Sequence, residues 1–202
     1  MKKAVWTIVL VLFIGIFLYS AYNLYLIYAE TDQSDKQKEL KPSLIIETAA
    51  PSSSPVSQPA ESPRQPLDFS HLKEVNEDII AWLTIDGTVI DYPVCQAGNN
   101  SYYLDHTASR EYNKLGALFL DCHNSPDFSD FISVIYGHNI KTGKMFAAVE
   151  NFKEKDFFNE NETGILYTPA ATYNLRIISV AVTKGNSDYY GYTGFDETLN
   201  AD

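Results

Sequence analysis

Ser133-Val134-Ile135-Tyr136-Gly137-His138-Asn139 is the stretch on which the fold turns. Its β-branched and aromatic run reads as a buried strand. Gly137 lets backbone or ligand approach closely, and Asn139 is placed to orient the ring or cap the turn. His138 thus stands where a strand runs out to solvent, and an unperturbed pKa of about 6.5 suits it to shuttle protons near neutral pH. Taken alone, a lone histidine at a strand end is more often a hydrogen-bonded structural residue.

Working outward, residues 115–121 predict a strand joined to 132–136 through a polar loop that contains Pro126. Asp86-Gly87 signals a tight turn. The strand predicted after it, 89–94, contains Pro93, which implies an edge or a bulge. In 68–83 the spacing of Leu72, Val75, Ile79 and Leu83 predicts one helical face, with Asp68 as N-cap. Residues 99–105 read as a turn into a short helical or irregular piece. Downstream, Lys141-Thr142-Gly143 is a turn, and Met145, Val149 and Phe152 fit a short helix. Residues 164–168 and 173–183 predict strands, and 187–195 a loop rich in Tyr and Gly. Short strands with helical insertions predict a mainly β, α+β domain over 67–202, built as a mixed and mostly antiparallel barrel.

The N-terminal third is different. No charged residue occurs from Ala4 to Ala29, a stretch that as a helix is roughly 39 Å long at ~1.5 Å per residue, enough to cross a hydrocarbon core of about 30 Å. A cleaved signal peptide would have a shorter apolar run and a small-x-small end. Here the run ends in bulky Tyr25-Leu26-Ile27-Tyr28, so an uncleaved signal anchor is expected over 4–29. Lys2 and Lys3 keep the three-residue N-terminus (1–3) in the cytoplasm and place the rest of the chain outside the plasma membrane. Residues 30–66 hold six of the nine prolines and no aromatic residue. They read as a disordered, Pro/Ser-rich linker, able to hold a domain up to about 110 Å from the membrane at ~3.1 Å per residue.

The net charge of −11 argues against nucleic acid, which calls for a basic patch, and against electrostatic adhesion to anionic lipid. No phosphate-cradling glycine pattern is present. His106, His123 and Asp121 show no metal-ligand spacing, so neither a metal nor a cofactor is expected. Cys95 and Cys122 are even in number and exported, which permits a disulfide, although nothing in the sequence brings them together. In Asp121-Cys122-His123-Asn124, strand alternation would point Cys122 and His123 to opposite faces. A buried, inert Cys122 is expected over a nucleophile.

Ordered motifs then carry a resemblance. They are Phe69-Ser70-His71-Leu72-Lys73, Asn76-Glu77-Asp78-Ile79, Ala81-Trp82-Leu83-Thr84-Ile85, Ile90-Asp91-Tyr92-Pro93-Val94 and Tyr102-Tyr103-Leu104-Asp105-His106. Gly116-Ala117-Leu118-Phe119-Leu120-Asp121, Asp127-Phe128-Ser129-Asp130, Tyr136-Gly137-His138-Asn139, Gly143-Lys144-Met145-Phe146 and Ser187-Asp188-Tyr189-Tyr190 follow. In this order, behind a signal anchor, they resemble the class B sortases, membrane-anchored cysteine transpeptidases of Gram-positive bacteria. The resemblance implies a sortase β-barrel and makes His138 the catalytic histidine. It also implies that Asn100, Leu104 and Tyr136 line the sorting-signal groove, with Tyr189 and Tyr190 at its border. The implied partners are secreted proteins bearing sorting signals and a cell-wall precursor amine.

In that family a cysteine at the end of a TLxTC-like strand attacks the sorting-motif carbonyl, and an arginine stabilises the oxyanion. Neither position falls within these residues; Arg176, the one arginine after His138, lies inside the predicted strand 173–183. Residues 196–202 are polar and strandless, so the expectation is a barrel whose C-terminal strands, with the nucleophile, are missing. The alternative is a catalytically dead, membrane-anchored relative that binds peptide, or a non-functional product.

Overall fold

The computed structural model describes residues 2–41, 67–140 and 143–182. Its centre is one curled six-stranded sheet. The strands are β1 (Ile79–Ile85), β2 (Asp91–Cys95), β3 (Leu118–Leu120), β4 (Ile135–Tyr136), β5 (Thr163–Tyr167) and β6 (Thr172–Arg176). They lie in the order β4-β3-β2-β1-β5-β6, and every pair is antiparallel except β2–β3. Helices α1 (Lys2–Glu39), α2 (Ser70–Val75) and α3 (Lys155–Glu160) and two 3₁₀ segments, Tyr102–Leu104 and Phe146–Lys153, complete the described elements. The architecture is mainly antiparallel α+β, as the strand pattern predicts, and the sheet curls into a half-barrel.

The expected helix over 68–83 breaks in two. Its first part is α2, but at Asn76 the backbone turns extended (φ −160°, ψ 117°). The Asn76 side chain is locked in place, donating to Tyr103 Oη (2.8 Å) and to the Ala108 carbonyl (2.9 Å). Beyond it, Ile79-Ile80-Ala81-Trp82-Leu83-Thr84-Ile85 enters the sheet between β2 and β5. A β-branched run with sheet partners on both sides overrides the helical spacing. Asp68 is not the N-cap: Phe69 holds that position, and the Asp68 carboxylate accepts the Ser70 N–H at 2.9 Å.

Two other expectations are corrected. β2 is interior rather than an edge, with Pro93 opposite Trp82 of β1, and the irregularity in this pairing falls in β1 between Ile79 and Ala81. Pro93 is tolerated there because pairing to β3 starts only at Val94, so its missing N–H removes no ladder bond on that side. The strand expected over 173–183 ends at Arg176, and 177–182 is irregular.

α1 carries the apolar stretch Val5–Ala29, long and apolar enough to cross a membrane. The helix continues past Ala29 to Glu39, so the first part of the expected linker is helical rather than disordered. Residues 42–66 of that linker lie outside the described residues, as do 183–202, including Tyr189 and Tyr190.

Two buried clusters hold the sheet. Trp82, Ile79, Cys95, Tyr103, Ala117 and Phe119 pack with Leu72 of α2. Leu83, Tyr92, Val94, Leu118, Leu120 and Met145 form the other. Between them Gly116 takes φ +59°, and a Cβ there would sit 2.3 Å from the Tyr103 carbonyl oxygen and 2.8 Å from that of Leu104. Gly116→Ala is therefore expected to cost on the order of 2 kcal/mol or more, from left-handed backbone plus a backbone clash. Urea unfolding measures it; an unchanged midpoint would show that this crossing is not tight.

Candidate functional site

His138 follows β4 after a single residue, Gly137. The pairing Phe119↔Tyr136 and Leu120↔Ile135 fixes β4 on β3 and so sets where the chain leaves the sheet. Gly137 is required by crowding: a Cβ would lie 2.4 Å from Leu118 Cδ2 and 2.8 Å from Phe146 Cδ2. The close approach expected at this glycine is thus made by two core side chains. Behind His138 the chain turns back, and the Phe146 N–H donates to the His138 carbonyl at 3.1 Å.

The half-buried His138 ring places Nε2 2.6 Å from the Leu104 carbonyl oxygen. A carbonyl only accepts, so Nε2 carries the proton and Nδ1 is the lone-pair nitrogen. Leu104 itself closes a 3₁₀ turn, Tyr102–Leu104, with its side chain 44% exposed. The turn is pinned from below by Tyr103, whose hydroxyl donates to Asp78 Oδ2 at 2.7 Å.

Asn100 and Tyr136 both reach one residue not singled out for the groove, Asp121. Asp121, whose side chain is only 4% exposed, accepts from Asn100 Nδ2 (2.8 Å) and Tyr136 Oη (2.8 Å) on Oδ2. Its Oδ1 accepts the His123 N–H and lies 2.9 Å from His123 Nδ1. Asn100 also accepts the Cys122 N–H at 2.8 Å. Burial alone would push the Asp121 carboxyl up, but the bonds from His123, Tyr136 and Asn100 outweigh it and hold the group below the usual carboxylate range. Gln96 was likewise unforeseen: its amide donates to the Asp121 and Asn124 carbonyls at 2.9 and 2.7 Å. These links span distant segments, so no local pattern announces them.

The expectation that Cys122 and His123 point apart is corrected. β3 ends at Leu120, and both residues lie in the turn that follows, with Cys122 Sγ 3.6 Å from His123 Nδ1. Asp121, Cys122 and His123 even bring three ligand-type atoms within 4.8 Å. The same nitrogen, Nδ1, faces both the thiol and the Asp121 carboxylate. A thiol–imidazole–carboxylate relay needs the two ring nitrogens for different partners. Both Asp121 oxygens already accept donors, so the carboxylate acts as a hydrogen-bond hub.

Among the other candidates, His106 is structural: Nδ1 sits 2.9 Å from the Tyr102 carbonyl oxygen and 2.7 Å from Asp105 Oδ1, and the ring stacks on Tyr102. Arg176 ends β6, at the opposite end of the strand order from β4, and is 73% exposed beside Glu162. Cys95 and Cys122 are both free thiols. Cys95 is fully buried, and that burial pushes its thiol far above the usual range.

Two measurements follow from this geometry. Asp121→Asn puts an amide N–H₂ where only acceptors fit, and is expected to cost on the order of 2 kcal/mol at neutral pH. Because the folded pKa of Asp121 is depressed, its contribution is complete above the unfolded value of about 3.9 and is lost as pH falls through the folded pKa. The stability gap between wild type and Asp121→Asn should therefore shrink in urea titrations taken below that range; a gap independent of pH would contradict the assignment. Thiol titration of the native protein should count Cys122 alone, with Cys95 appearing only after denaturation. A native count of zero that reductant restores would mean a bridge.

No family model matches the chain. The chain is 37% identical over 133 residues to sortase B of Listeria monocytogenes, covering 66% of this chain and 54% of that protein. It spans about half the length of the curated relatives it matches. Among solved structures it is similar to sortase B from Listeria monocytogenes, with a TM-score of 0.56 and 38% identity over 63% of this chain and 73% of that one. It is also similar to sortase B from Bacillus anthracis in complex with AAEK1, with a TM-score of 0.59 and 25% identity over 87% and 80% of the two chains. Identity at this level, over nearly three quarters of the solved Listeria monocytogenes chain, leaves one conclusion: the chain belongs to the class B sortase family.

Proposed function

We propose that residues 67–182 form the acid/base and peptide-groove half of a class B sortase, a transpeptidase that cleaves a sorting signal and joins the carried protein to a cell-wall amine. The observation that carries this is the His138 bond to the Leu104 carbonyl beside the Asn100–Asp121–Tyr136 network. With Nε2–H held by a backbone carbonyl, Nδ1 is the atom that gives a proton to the departing amine and takes one from the entering amine. The same carbonyl stabilises the imidazolium that exists before the first of these steps and again after the second. Asn100, Leu104 and Tyr136 line the groove for the sorting peptide, with Leu104 offering an exposed apolar contact.

Neither cysteine of this sequence fits the nucleophile. Cys95 is buried with its thiol held neutral, and the Cys122 partner His123 is committed through one nitrogen to Asp121. Family resemblance assigns the thiol to the end of a TLxTC-like strand and the oxyanion arginine to the strand after it, and neither falls within these residues. The apolar helix Val5–Ala29 is the anchor, with Lys2 and Lys3 cytoplasmic and the domain outside.

The test combines the full chain with the cysteine-bearing C-terminal segment of the Listeria monocytogenes relative and follows transfer of a sorting peptide to an amine. His138→Ala is expected to lower turnover by roughly two to four orders of magnitude, while peptide binding measured by fluorescence anisotropy is unchanged. Leu104→Asp should weaken binding itself. Turnover that survives His138→Ala would remove the acid/base role, and binding indifferent to Leu104→Asp would remove the groove.

A further inference from the structure

The end of α1 is not a loose tether. Gln37 is 3% exposed and satisfied at both ends of its amide: Nε2 donates to the Gly116 carbonyl at 3.2 Å, and Oε1 accepts the Ala108 N–H at 3.0 Å. Two residues earlier, Asp35 forms an ion pair with Lys144. Lys38 lies over the Tyr92 ring, 4.7 Å from its centroid. Leu40 packs on the first core cluster. Lys41 Nζ reaches both Asp91 oxygens at 2.8 and 2.9 Å, and Asp91 also accepts Trp82 Nε1–H at 2.7 Å.

Two of these contacts bracket His138. Gly116 crosses under the Tyr103 and Leu104 carbonyls, and the latter is the His138 acceptor. Lys144 belongs to the loop that returns from His138 to Phe146, whose N–H bonds the His138 carbonyl. We propose that residues 35–41 are a membrane-proximal clamp: they join the domain rigidly to its anchor helix and hold, through Gln37 and Asp35, the two segments that position His138. The distance from Ala29 to Gln37 is then about 12 Å of helix at ~1.5 Å per residue. His138 works at a fixed, short height above the bilayer instead of at the end of a linker reaching about 110 Å. Gln37 is a positioning residue for a reaction on peptides that emerge close to the membrane surface.

This inference rests on reading Val5–Ala29 as an anchor and His138 as the acid/base, and its test separates the three. The full chain is placed in phospholipid nanodiscs, and amide exchange is read at Ala108 together with the His138 Nε2–H resonance. Gln37→Leu keeps the side-chain bulk but strands the Ala108 N–H and Gly116 carbonyl. It is expected to speed exchange at Ala108 by about ten-fold or more and to broaden the His138 Nε2–H signal into solvent exchange. Lys153→Ala, away from the clamp, should do neither. Asp35→Lys and Lys144→Asp should each sharpen the loss, and the double exchange should restore it. A dye on the domain should transfer energy efficiently to labelled headgroups, and a flexible Gly-Ser insertion after Thr31 should abolish that transfer.

Rapid Ala108 exchange in wild type, indifferent to Gln37→Leu, overturns the clamp. Loss of Ala108 protection with an unchanged His138 signal overturns the positioning role. A chain that stays out of the discs overturns the anchor, and Ala108 exchange in the same sample still judges the clamp.

Discussion

One buried carboxylate organises the region around His138. Asp121 collects Asn100 from the loop after β2, Tyr136 from β4, and His123 from its own turn. A charge with its side chain 4% exposed is tolerable only because every bond to it is a donor aimed at an oxygen. Each such bond to a charged group contributes on the order of 1.5–3 kcal/mol, so the network fixes three chain segments that the short strands could not fix alone. β3 and β4 contribute two paired positions, Phe119↔Tyr136 and Leu120↔Ile135, too few to set a loop by themselves. The polar hub supplies the remainder of the register.

The carbonyls of the 102–104 turn are the second half of the arrangement. The Tyr103 carbonyl accepts the Ala117 N–H at 3.0 Å, and the neighbouring Leu104 carbonyl accepts from His138 at 2.6 Å. Continued two residues, the β3–β4 register would set His138 opposite Ala117. The start of β3 and the ring of His138 therefore share one short turn. A shift of that turn moves the His138 ring and the exposed Leu104 together. Gly116 makes the shared crossing possible, since any side chain there would strike both carbonyls.

Much of the sheet was legible because its strands are β-branched runs bounded by Gly, Pro and Asn turns. The misreading at 68–83 is instructive: Leu72, Val75, Ile79 and Leu83 satisfy a helical period, and only the long-range bonds of Asn76 reveal the break. His138 was legible as a strand-end histidine, while its acceptor was not, since Leu104 acts through its backbone. Asp121 escaped notice as the hub because its partners come from residues 100, 123 and 136, and no spacing rule links them. The separation expected of Cys122 and His123 failed for a simpler reason: alternation holds only while the strand lasts, and β3 ends at Leu120.

The same limit explains the misjudged linker. Residues 30–41 are polar and charged, a composition that reads as solvated chain, and helix propensity alone would not hold such a segment ordered. What orders it is tertiary. Gln37 completes two backbone groups, Ala108 N–H and Gly116 carbonyl, that would otherwise be costly to bury. The charges at Asp35 and Lys41 find partners on opposite sides of it. Polar residues in a segment beside a membrane helix thus have two physical readings, solvated tether or docked strut. The choice depends on whether the domain presents unpaired backbone groups at the right height. Here it presents two, at the glycine crossing that also seats His138, so the end of α1 and His138 share one structural support.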